Sequence, residues 1–151
     1  MTCVAIIPAR GGSKGIPNKN LAEVNGESLV TRAINSAVQS GVVDFVVVSS
    51  DDHAILKAAK IAGAIAIERP AELASDTSAI EDAISHALQK FSEGHPTPTT
   101  LVLLQPTSPL RQASTISDAV HIFTKNGNTG CVYGVIEAEH HPYKTFIATD
   151  A

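Results

Sequence analysis

Short apolar runs and amphipathic stretches alternate along this chain. Strand-like runs span Cys3 to Ile7, Phe45 to Ser49, Ala64 to Ile67, Thr100 to Leu104 and Gly130 to Val135. Apolar runs of this length, without polar alternation, suit strands buried on both faces. Helical spacing fills the intervals. Ser28 to Ser40 sets Leu29, Ala33, Ala37 and Val38 on one stripe, and Gly41 is placed to end it. Asp52 to Ala62 repeats the pattern with Ile55, Ala58, Ala59 and Ala62. Ser78-Ala79-Ile80-Glu81 has the form of a capping box before Ile80, Ala83, Ile84, Ala87 and Leu88. Thr115-Ile116-Ser117-Asp118 resembles a second cap, ahead of Ala119, Val120 and Phe123. Strand and helix in this rhythm predict an α/β fold of three layers. Right-handed crossovers would give it a mostly parallel sheet with flanking helices.

Composition narrows the picture. A length of 151 residues fits one domain, and Gly94 to Thr100 reads as a connecting loop within it. The apolar share is 44%, yet only six residues are Phe or Tyr and none is Trp, so the core must be aliphatic. A net charge of −4 argues against general binding to nucleic acid or to a membrane surface. No apolar run approaches the ~18 residues of a membrane span. The start does not read as a signal peptide either, because Arg10 and Lys14 follow the apolar run instead of preceding it. Cys3 and Cys131 are far apart and are expected as buried free thiols in a reducing, cytoplasmic compartment.

The most specific chemistry lies between Ile7 and Asn20. The first strand empties into a loop with three glycines, Gly11, Gly12 and Gly15, and three cations, Arg10, Lys14 and Lys19. Glycines let backbone N–H groups approach a ligand, and fixed cations favour an anion there. The loop is therefore a phosphate-site candidate. Its spacing matches neither the P-loop, since no hydroxyl residue follows Lys14, nor the G-x-G-x-x-G dinucleotide fingerprint. Ligands of open parallel sheets bind beyond the carboxyl ends of the strands. Three further loops are placed there: Ser49 to His53, Glu68 to Thr77 and Gln105 to Arg111. Arg69 and Gln105 stand at strand ends, where a guanidinium suits phosphate or base edges and an amide suits a base or sugar hydroxyl. Plainer roles compete. Asn20 could cap a turn, Arg69 could pair with Glu68 or Glu72, and Asp51 or Asp52 could cap the next helix. Pro106 and Pro109 are expected to shape their loop without touching a ligand. His140-His141 and the remaining histidines lack partners at metal-ligand spacing, and no metal ligand is assigned.

Together, Pro8 to Pro17 with Lys19-Asn20, then Arg69-Pro70-Ala71-Glu72-Leu73-Ala74, then Leu104 to Arg111, resemble the acylneuraminate cytidylyltransferases, as does Glu139-His140-His141-Pro142-Tyr143-Lys144. The resemblance covers nearly the whole chain in order. It implies a Rossmann-like sheet of the nucleotide-diphospho-sugar transferase type, with residues 1–151 as one nucleotide-binding domain. It also implies a reaction. CTP and a sialic-acid-like nine-carbon 2-keto sugar acid would give the CMP-sugar and pyrophosphate, with Mg²⁺ held largely through the CTP phosphates. By the same resemblance Arg10, Lys14 and Lys19 would be catalytic. Ala9, Arg10, Gly11, Gly12, Ser13, Lys14, Asn20, Arg69 and Ser78 would hold the nucleotide, and Gln105 would meet the sugar acid.

Two departures follow from the resemblance. Ala79 and Ile80 stand where relatives often carry small hydroxyl residues, leaving Ser78 as the one expected nearby. Relatives also continue past the position of Ala151, so a homodimerisation element would begin near residue 138 and be cut short. The carboxylates that hold the metal would fall beyond it, and weak nucleotide binding with poor turnover is the expectation. The alternatives are a non-catalytic nucleotide-binding or assembly module, and a cytidylyltransferase for another sugar acid such as 3-deoxy-octulosonate.

Overall fold

The computed structural model describes residues 2–12, 15–75 and 77–137. Ser13, Lys14, Asp76, the Glu139 to Lys144 segment and the expected dimerisation element lie outside them. Among the described residues six strands run in chain order as β1 (Cys3–Pro8), β2 (Glu23–Val24), β3 (Glu27–Ser28), β4 (Phe45–Ser50), β5 (Ile65–Glu68) and β6 (Thr100–Leu103). Four α-helices of the described residues interleave with them: α1 (Leu29–Gln39), α2 (His53–Ile61), α3 (Ile80–Ser92) and α4 (Ala113–Lys125). The main sheet has the order β5-β4-β1-β6, and every pairing in it is parallel.

Alternation on the central strands sorts two cores. Ala5, Ile7, Val46 and Val48 face α1, α2 and α4 and pack with Val30, Ile34, Ile55 and Ile116. Val4, Ile6 and Val47 face the other way, onto Ala87 and Phe91 of α3. Both faces of β1 are thus covered, which is why its sequence is a continuous apolar run. The three-layer α/β expectation holds.

Element ends show what local chemistry decides. Asp52 caps α2, its carboxylate accepting from Ala54 and Ile55 N–H at 2.7 and 3.3 Å. Gly41, at φ 69°, follows the end of α1 as expected. Asn25 and Gly26 both take positive φ between β2 and β3, as a two-residue hairpin turn requires.

Several expectations need correction. Ser78 does not cap α3: the cap position is Ala79, and the Ser78 hydroxyl instead donates to the Glu72 carbonyl at 2.7 Å. α4 begins two residues before Thr115, so the presumed second cap lies inside the helix. Val38 is exposed on α1, whose buried stripe runs through Val30 and Ile34 instead. Residues 130–135 form no strand: they pair with nothing among the described residues and stay exposed, including Cys131. A run of β-branched residues becomes a strand only when a neighbour completes its ladder.

Candidate functional site

Where successive connections leave β1 in opposite directions, the loops beyond two neighbouring strands part and leave a crevice. Here the chain moves from β1 out to β4 and β5, then returns to place β6 on the other side of β1. A cleft of about 450 Å³ opens at the carboxyl ends of these strands. Arg10, Gly15, Lys19 and Asn20 reach it from the loop after β1, and Arg69, Ser75, Ser78, Ala79 and Ile80 from the segment after β5. Gln105, Pro106 and Thr107 reach it after β6. Six of the predicted site residues, from three separate loops, therefore meet in one place.

The loop after β1 is held by its neighbours. Ala9 N–H donates to the Ser49 carbonyl at 3.0 Å, and the Ala9 side chain lies in the core, away from the cleft. Gly11 N–H donates to the Asp51 carboxylate at 3.0 Å. A Cβ at Gly11 would lie 2.9 Å from the Asp52 side chain, so only glycine fits between the loop and α2. Gly12 is exposed, with open space around it. Asn20 is buried in a 3₁₀ turn, Lys19–Leu21, and its amide donates to the Arg10 carbonyl at 2.9 Å. It acts as a tie across the base of the loop and not as a cap.

Arg69 is buried, contrary to the surface pairing weighed from its acidic neighbours. Its Nε donates to the Ser49 hydroxyl at 3.1 Å and its Nη2 to the Ser49 carbonyl at 2.8 Å. Burial pulls this guanidinium below its ordinary pKa; the charge of Asp51 opposes that shift and Arg10 adds to it. The group stays a cation at neutral pH and is oriented before any ligand arrives. Ser78 and Ser75 touch hydroxyl to hydroxyl at 2.6 Å, so the cleft has two hydroxyls on this side where one was expected.

The third loop is braced from behind. Arg111 Nη2 donates to the Gln105 carbonyl at 2.9 Å, Arg32 Nε to the Pro109 carbonyl at 3.1 Å and Ser36 to the Arg111 carbonyl at 3.3 Å. Pro106, expected only to shape the loop, lines the cleft, and Pro109 is not part of that lining. Sequence reasoning placed Ser49 and Asp51 in a cleft loop but missed their bonds to Ala9, Arg69 and Gly11, which follow other strands and leave no local signal. The cleft lining described here holds Arg10, Lys19 and Arg69 and no carboxylate. Such a site favours an anion, with amide and hydroxyl groups beside it for polar recognition.

Comparison with known proteins agrees with this geometry. A family model described as cytidylyltransferase matches residues 4–149. An N-acylneuraminate cytidylyltransferase of Escherichia coli is 36% identical over 132 residues, 87% of this chain and 30% of that protein. A CMP-N,N'-diacetyllegionaminic acid synthase of Legionella pneumophila is 38% identical over 130 residues, 85% of this chain and 56% of the relative. The chain thus spans between about a third and just over half of these two curated relatives. Among solved structures, a CMP:2-keto-3-deoxy-manno-octonic acid synthetase complexed with CTP superposes with a TM-score of 0.72. It is 22% identical and is matched over 84% of this chain and 49% of its own.

Proposed function

This chain belongs to the cytidylyltransferase family, and on that premise we propose that its cleft binds CTP for transfer of CMP to a sialic-acid-like sugar acid. The observation that carries the reading is the convergence of Arg10, Lys19, Asn20, Arg69, Ser78 and Gln105 on one crevice at the point where strand order reverses. In this proposal the anomeric hydroxyl of a nine-carbon 2-keto acid attacks the α-phosphorus, and pyrophosphate leaves. Little covalent chemistry is asked of the protein; alignment and charge neutralisation supply the rate. Arg10 and Lys19 hold the triphosphate, and Lys14, outside the described residues, joins them by the same reading. By the same reading the backbone of Gly12 lies along the phosphates, continued by Ser13, outside the described residues, while Gly11 N–H stays on Asp51. Arg69, fixed on Ser49, reads the nucleoside together with Asn20 and the Ser75–Ser78 pair, and Gln105 meets the sugar acid.

Mg²⁺ belongs to the proposal as an ion carried on the CTP phosphates. Among the described residues no three His, Cys, Asp or Glu side chains gather, and the cleft lining has no carboxylate. The residues described here do not build a metal site of their own. A homodimer in the cytoplasm completes the reading, supported by the family resemblance and by two cysteines that remain unpaired. No helix among the described residues is long and apolar enough to cross a membrane.

Pyrophosphate release tests the reaction, with CTP as donor and N-acetylneuraminate or 3-deoxy-octulosonate as acceptor. Product with the nine-carbon acid, reduced about tenfold or more by Lys19→Ala, supports the proposal. Release with the eight-carbon acid alone would reassign the acceptor.

A further inference from the structure

The strand at the centre of the binding geometry contributes nothing to the cleft wall. β4 ends in Ser49-Ser50 and is followed by Asp51-Asp52, and none of these lines the cleft. Each is nonetheless bonded to or packed against an element that bounds it. Ser49 holds the Arg69 guanidinium and Ala9 N–H; the Ser50 carbonyl accepts Arg69 N–H at 2.8 Å; Asp52 caps α2 and packs against Gly11. Asp51 is the exposed member, and its carboxylate takes the Gly11 N–H.

An acid beside an anion loop is a liability unless it has a task, because it repels the phosphates the loop would attract. We infer that Asp51 is a positioning residue: its hydrogen bond to Gly11 sets the glycine loop in register with Arg69, across the end of β4. The charge of Asp51 also favours the cationic form of Arg69. The inference deepens the CTP reading and rests on it.

The separating experiment compares Asp51→Ala with Asp51→Asn in the 151-residue chain. Asn keeps an acceptor oxygen for Gly11 and removes the repelling charge; Ala removes both. A positioning role predicts CTP affinity lowered about tenfold in Asp51→Ala and restored to the parent value or better in Asp51→Asn. The ligand-free amide NMR spectrum supplies a second readout: the Gly11 resonance should move, and its exchange protection fall, in the Ala variant and not in the Asn variant. Tighter CTP binding in both variants would make Asp51 a mere repulsive charge and overturn the inference. So would affinity and a Gly11 amide indifferent to both changes. Failure of the parent chain to bind CTP would count against the functional proposal, and the Gly11 amide would still decide the role of Asp51.

Discussion

Cys3 and Cys131 show how environment divides two identical side chains. Cys3 is buried beside Asp44, and desolvation, helped by that carboxylate, pushes its thiol from 9.0 up to about 11. Cys131 is exposed. Alkylation depends on the thiolate, so iodoacetamide at pH 8 should label Cys131 and spare Cys3 in the native chain, read by peptide mass spectrometry. Equal labelling would mean that β1 opens readily. The linkage has a definite sign. A thiol raised in the folded state contributes stability that is fully present below pH 9 and is lost as the pH climbs towards 11. Arg69 teaches the complementary lesson. Its acidic neighbours Glu68 and Glu72 left a surface ion pair as the lesser reading beside a crevice role; two of its donors turn inward to Ser49, twenty positions away. Only pairing of β4 with β5, which sets Ser49 opposite Ile67, brings those groups together.

At the scale of elements, the strongest local signals were those with a backbone mechanism. β1, β4, β5 and β6 fall within a residue of the apolar runs that announced them; in β1 and most of β4 the cause is burial on both faces, which favours an unbroken apolar run. Asp52 capped as read, since an aspartate before an apolar stripe has two waiting N–H donors. Ser78 failed as a cap because its hydroxyl found the Glu72 carbonyl and Ser75 instead, a competition that sequence spacing does not reveal. The apolar run at residues 130–135 shows the same limit: propensity is present, a ladder partner among the described residues is not. Among the described residues α3 is the one helix packed on its sheet face, so Phe91 matters more than a typical aromatic. It is 1% exposed, meets Phe45 edge-on at 5.2 Å and stacks on His95 at 4.5 Å. Phe91→Ala should lower unfolding free energy in urea by about 3–5 kcal/mol. A loss below about 1 kcal/mol would mean that the face repacks around the gap.

At the scale of the whole molecule, topology does what no single motif could. Strand order reverses beside β1, and the crevice this opens collects three loops whose sequences carried the glycines, the cations and the amide. Position at the strand ends was legible from alternation alone. The depth of Arg69 and the bracing by Ser49, Asp51, Arg32 and Arg111 were not, because each depends on contacts between distant segments. The central claim is that this cleft is a cytidine nucleotide site, and a thermal-shift panel of CTP, UTP, ATP and GTP tests it most directly. A ligand at a hundred times its Kd adds about 2.7 kcal/mol, enough to raise the melting point by several degrees. The prediction is a shift with CTP well above the other three, abolished by Arg69→Met. Equal shifts with all four nucleotides, or none with CTP, would contradict it.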